Sequence, residues 1–204
     1  ILYRVLNSDE NVYCERVYSP AIDMEEILRE KNIPLFAIES REPITNFDFV
    51  TFTLQYELSY TNILNILDLG KIEILAKDRK LDDPFIMVGG PCAYNSEPLA
   101  DFVDIVILGE GEEVNLEVLN LYKEWKKNKT TREDFLMMAS KIEGVYIPSF
   151  YDVTYNEDKT VKETVPNREG VPAHPRKRII KNMDEVHYPE ALIVPYIETV
   201  HERL

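Results

Sequence analysis

Short apolar runs alternate with amphipathic stretches along the first two thirds of the chain. Ile1, Leu2, Val5 and Leu6 share one helical face, so the chain is expected to open inside a helix. "NVYCERVYSP" (11–20) alternates in the manner of a strand and stops at Pro20. "DMEEILREKN" (23–32) predicts a helix capped by Asp23, with Glu26 at the capping-box position and Asn32 and Pro34 ending it. "FDFVTFTL" (47–54) is β-branched and aromatic throughout, as for a central strand covered on both faces. "SYTNILNILDLG" (59–70) predicts a helix with Ser59 at its N-cap and Gly70 just past its end. "PFIMVGG" (84–90) and "DIVILGEG" (104–111) are two more continuous apolar strands. The second runs into a helix whose stripe is Val114, Val118, Leu121, Tyr122 and Trp125.

Strands that are apolar on both faces, separated by helices, predict an α/β fold: an open, mostly parallel Rossmann-like sheet with helices on both faces. In such sheets the ligand crevice lies outside the carboxyl ends of the strands. The loops that matter are therefore those after Leu54, Val88 and Leu108. The opening strand and its loop are expected upstream of residue 1. After about Asn128 the texture changes. "TTREDFLMMASKIEG" reads as a helix with Thr130 or Thr131 as cap and Gly144 as stop, and "YDVTYNEDKTVKETV" as a hairpin turning at Asn156–Lys159. Pro148, Pro166, Pro172, Pro175, Pro189 and Pro195 punctuate the rest and block long helices. Residues 1–128 thus form the expected α/β domain. Residues 129–204 form a helix, a hairpin and an extended linker.

Composition narrows the partners. The formal net charge of −14 argues against a general nucleic-acid footprint, which needs clustered Lys and Arg. No apolar run approaches the ~20 residues of a membrane span. Cys14 and Cys92 are the two cysteines and form no C-x-x-C pair, so a reducing, cytoplasmic setting is the default. The chain opens "ILYRVLN" and closes "VPYIETVHERL" without start or stop signals, and a fragment is expected.

The glycine-rich loops hold the candidate chemistry. In "GEGEE", Gly109 and Gly111 permit close backbone approach, and Glu110, Glu112 and Glu113 suit the start of a helix. A pyrophosphate is disfavoured there. One carboxylate about 6 Å away costs roughly 2–3 kcal/mol at an effective dielectric near 20, whereas a helix terminus returns at most about 2 kcal/mol. Gly89 and Gly90 end their strand without side chains, so a flat ligand or another backbone can lie against them, and Pro91 delays any helix. Thr53, Leu54, Gln55 and Tyr56 emerge at a strand's carboxyl end, with Ser59 and Tyr60 one turn on. No nucleophile elbow, H-E-x-x-H or Walker pattern occurs, and His174, His187 and His201 have no metal-ligand spacing. "HPRKRIIK" (174–181) is the one basic cluster, read as a solvated strand or a docking surface.

Taken together, "FVTFTLQYELSYTNIL", "IMVGGPCAYNSEPLADF" and "DIVILGEGEE" resemble the N-terminal domain of B12-binding-type radical S-adenosylmethionine (SAM) proteins. "GVYIPSFYDVTY" and "VPYIETVHERL" resemble the stretch that precedes the family's radical domain. The resemblance implies a cobalamin-binding-type domain with the corrin over the carboxyl ends of the strands. Its cofactor contacts would come from Thr53, Leu54, Gln55, Tyr56, Gly89, Gly90, Pro91, Gly109, Glu110 and Gly111. Gly89 and Gly90 match the GG element of the cobalamin pattern, and the segment Thr51–Leu54 stands at its S-x-L element with Thr for Ser. The element carrying the axial His would lie upstream. The family's C-x-x-x-C-x-x-C motif is absent, so a [4Fe-4S] cluster and S-adenosylmethionine are expected only in the full-length protein, on a C-terminal radical SAM domain of the same polypeptide.

Three readings follow. The first is a non-catalytic N-terminal module that binds cobalamin and helps to enclose the substrate. The second is a ligand-free domain that docks on the radical domain. The third is a stand-alone metal-dependent enzyme using Glu110, Glu112, Glu113 or Asp101.

Overall fold

The computed structural model describes residues 1–186, and His187, His201 and the terminal "VPYIETVHERL" lie outside the described residues. Strands β1 (Phe49–Thr53), β2 (Phe85–Gly89) and β3 (Ile105–Ile107) run parallel, and β4 (Val145–Tyr146) joins β3 antiparallel, in the order β1-β2-β3-β4. The helices are α1 (Leu2–Leu6), α2 (Ile22–Glu30), α3 (Tyr60–Leu69), α4 (Gly111–Asn128) and α5 (Arg132–Ala139). The hairpin β5 (Tyr151–Tyr155) and β6 (Val161–Pro166) forms a separate two-stranded sheet. This is the expected mostly parallel α/β architecture. No helix among the described residues is long and apolar enough to cross a membrane.

The period-2 alternation of the strands sorts their side chains into two cores. Ile86, Val88, Val106 and Val50 pack with Ile63, Ile66 and Leu67 of α3 and Leu28 of α2. Phe85, Met87, Ile105 and Ile107 pack with Val114, Val118 and Trp125 of α4 and Phe135 of α5. In this second core the Phe85 ring lies 4.7 Å from that of Phe135, and the Arg132 guanidinium sits 3.8 Å from the Phe85 ring centre. Residues after Asn128 thus complete the main core as well as forming the hairpin.

A buried ion network fixes the amino end of β3. Asp104 accepts hydrogen bonds from Arg79 (2.8 Å), from Arg132 (3.1 Å) and from the Ile86 backbone (2.7 Å). Arg79 spends three more donors on the carbonyls of Glu73, Ile74 and Phe102. Full hydrogen bonding is what makes such a buried pair tolerable.

Several local expectations are corrected. Residues 11–20 form no strand, although Ile38 donates to the Arg16 carbonyl at 2.8 Å. Helix α2 starts two residues earlier than a cap at Asp23 implies, and Asp23 lies in its first turn, where it accepts from Met24 instead of capping. Gly70 has φ −74°, and the left-handed residue that ends α3 is Lys71. Pro91 opens a short 3₁₀ turn instead of delaying one, because Gly90 at φ 100° takes the cap position. The largest correction concerns β1. It is an edge strand among the described residues, and its cover is incomplete: Val50 is buried and Phe49 packs on Tyr122, while Thr51 and Thr53 are exposed.

Candidate functional site at the carboxyl edge of the sheet

Three loops meet where β1, β2 and β3 end. Leu54 donates to Gly89 at 2.6 Å, and Cys92 donates back to Leu54 at 2.9 Å. Gly90 is required by this crossing, since a Cβ would lie 3.1 Å from the Leu54 backbone at a positive φ. The Tyr60 hydroxyl, at 3.0 Å from the Cys92 carbonyl and 2.9 Å from that of Asn95, ties the first loop to the second. On this scaffold Tyr56, Leu58 and Tyr94 stand 59%, 75% and 62% exposed, an apolar shelf at the strand ends. Single exposed apolar side chains are ordinary, whereas neighbouring ones mark a contact surface.

The third loop is held from outside. Residues 176–180, the core of the basic cluster, form a strap alongside Leu108–Glu110. Arg178 donates its backbone N–H to Leu108 (2.8 Å), and its carbonyl accepts from Glu110 (3.2 Å). The two segments register as a parallel bridge, Gly109 to Arg178. The Glu110 carboxylate accepts the backbone N–H of Ile180. The guanidinium of Arg178 reaches Glu113 at 2.8 Å and Glu117 at 2.5 Å on the first turns of α4. These contacts explain why glycines and acids share one turn: Gly109 makes room for a second backbone, and the glutamates hold that backbone's cation and amide. The basic cluster is a docking element, and its dock is this domain's own loop.

The other face of the edge opens into a slot of about 1030 Å³. Thr53, Gly89, Gly90, Gly109 and Gly111 line it; Leu54, Gln55, Tyr56, Pro91 and Glu110 do not. Leu54 is a core residue, and Gln55, Tyr56, Pro91 and Glu110 are exposed. Sequence reasoning missed Arg178 as the partner of the acidic turn. The usable signal was charge: one basic cluster and one glutamate-rich helix start in the same chain.

No group of three or more His, Cys, Asp or Glu that could hold a metal ion exists among the described residues, which leaves the stand-alone metal-enzyme reading without support. Burial, with Glu39 and Glu15 nearby, pushes the Cys14 thiol up, which disfavours its thiolate form.

Residues 1–148 match the family model described as radical SAM proteins, N-terminal. The chain belongs to that family. As a radical SAM N-terminal domain it is also 36% identical over 97 residues to an uncharacterized protein of Methanocaldococcus jannaschii, a match covering 45% of this chain and 20% of that relative. The domain therefore corresponds to a minor part of a much longer relative. No solved structure matches it.

Proposed function

We propose that this domain is the N-terminal module of a radical SAM enzyme, and that it works by docking on the C-terminal radical domain of the same polypeptide and helping to enclose its substrate. The carrying observation is the strap. Arg178 and Ile180 are locked to Leu108, Glu110, Glu113 and Glu117, so the chain crosses the carboxyl end of β3, on the sheet edge where the loops after β1 and β2 expose Tyr56, Leu58 and Tyr94. The shelf supplies apolar area for the neighbouring domain. The reaction belongs to the [4Fe-4S] cluster and S-adenosylmethionine of that domain. Cys14 and Cys92 are too few for the three thiolates of the cluster motif.

A second reading, favoured by Gly89 and Gly90 and by the exposed rings of Tyr56 and Tyr94, places cobalamin on the same edge. The described residues fit it only in part. The glycine at position 90 is already explained by the Leu54 backbone. His174, the one histidine among the described residues, is exposed and lines neither the slot nor the small pocket under the strap.

The test uses the full-length protein, purified without oxygen and reconstituted with iron, sulfide and hydroxocobalamin. Iron–sulfur absorbance without bound corrin supports the docking role. About one corrin per chain makes cobalamin binding part of the function. Well-folded protein with neither would overturn the radical SAM reading.

A further inference from the structure

The slot has two unsatisfied backbone walls. In the β1–β2 ladder, Phe85 donates to Asp48 and Leu54 donates to Gly89, so Asp48, Val50, Phe52 and Leu54 face β2. The N–H groups of Phe49, Thr51 and Thr53 consequently point away from the sheet, and none has a partner among the described residues. The opposite wall is residues 11–18, which line the same slot. There Cys14 donates to Asn7 (2.9 Å) and Arg16 donates to Glu39 (2.8 Å), while the N–H groups of Tyr13, Glu15 and Val17 have no partner among the described residues. Alternate residues satisfied on one side and free on the other are the mark of a strand that has lost a neighbour. This also explains why the alternating "NVYCERVYSP" forms no strand: a strand is defined by its pairing.

We propose that the slot seats one further β-strand, contributed by polypeptide N-terminal to Ile1 in the full-length protein, which pairs with β1 on one side and with residues 12–18 on the other. The volume agrees. A strand residue in a packed sheet occupies roughly 160 Å³, from about 3.3 Å of rise, 4.8 Å of strand spacing and 10 Å of layer spacing, so the slot holds roughly six residues. Direction follows from α1. Leu2 lies beside Gly111, at the first turn of α4 and the carboxyl edge of the sheet, and Asp9 pairs with Lys123 two to three turns further on, at 2.8 Å. The chain thus enters α1 at the carboxyl edge, and a strand feeding it there runs parallel to β1, β2 and β3. The path from that strand through α1 to residues 12–18 is then an ordinary crossover unit. Both layers contribute to the seat's lining, with Leu119 and Tyr122 of α4 from one and Ala37 and Ile44 from the other. The occupant must therefore be a short, continuously apolar run. On this account the cavity is a place in the sheet, distinct from a cofactor cleft.

Residue-resolved amide exchange on the full-length protein tests this, with the oligomeric state measured in the same buffer. The expected result is at least 100-fold protection at Phe49, Thr51, Thr53, Tyr13, Glu15 and Val17 in a monomer, without added cofactor. Free exchange at these amides in folded protein would overturn the proposal. So would protection that appears only on dimerisation or only with hydroxocobalamin, since a second copy or a ligand would then fill the slot. Thr51→Pro supplies an independent readout. Its N–H faces away from β2, so an edge strand tolerates it. A loss of more than about 5 °C in melting temperature is expected, and an unchanged one would count against a buried strand.

Discussion

The backbone of Arg178 crosses Gly109 so closely that a Cβ on the glycine would lie 2.8 Å from the Arg178 nitrogen and nearer still to its carbonyl. Gly109 also has φ 98°, which L side chains rarely adopt. Gly109→Ala should therefore cost about 1–3 kcal/mol in backbone strain alone and expel the strap. Faster tryptic cleavage after Lys177 and Arg178 is the measurement. Cleavage at the native rate would show that the strap is not held by this crossing.

Asp104 is the acceptor on which two arginines and a strand amide converge. Asp104→Ala leaves the fully buried Arg79 guanidinium unpaired, a change expected to cost about 3–5 kcal/mol. For a chain of this size that is a drop of roughly 6–20 °C in melting temperature. Asp104→Asn keeps an acceptor for Ile86 and should recover part of the loss. Thermal unfolding of both variants checks the order.

Helix α5 carries a pH signature. Thr131 and Asp134 form a reciprocal capping box, and the hydrogen bonds from Thr131, side chain first, hold the Asp134 carboxyl below its ordinary value of 3.8. A lowered folded value means stabilisation that is complete above the unfolded value and is lost as pH falls through the folded one. The stability gap between native protein and Asp134→Ala should be open at neutral pH and close below 3.8. A gap independent of pH would show that the charge is not involved.

The apolar shelf separates folding from docking. Leu58→Asp with Tyr94→Asp changes two exposed residues, so the melting temperature should move by no more than about 2 °C. If the shelf contacts the radical domain, small-angle scattering of the full-length variant should show a larger radius of gyration. An unchanged radius would place the interface elsewhere.

How far the sequence revealed this arrangement depended on where each residue's partner lay. β2 and β3 were legible because continuous apolar runs have few other uses, and both are buried on two faces. The hairpin was legible from its polar turn, where Asn156 donates to Thr160 and Lys159 to Asn156. In β1 the aromatic and β-branched run fits a strand covered on both faces, but Thr51 and Thr53 are exposed among the described residues. The strap was illegible for a different reason. Glu113 and Arg178 are 65 positions apart, and composition shows both charges without showing that a fold brings them together. Gly109 and Gly90 were recognisable as sites of close approach. What approaches them, a protein backbone in each case, is a tertiary fact.

The Tyr60 hydroxyl shares one proton between the carbonyls of two residues, Cys92 and Asn95. The loops that carry Tyr56, Leu58 and Tyr94 are consequently ordered before any other surface meets them. Association through pre-set side chains forfeits less conformational freedom than association through loose ones. A single half-buried phenol that joins these loops thus raises the affinity available to that face.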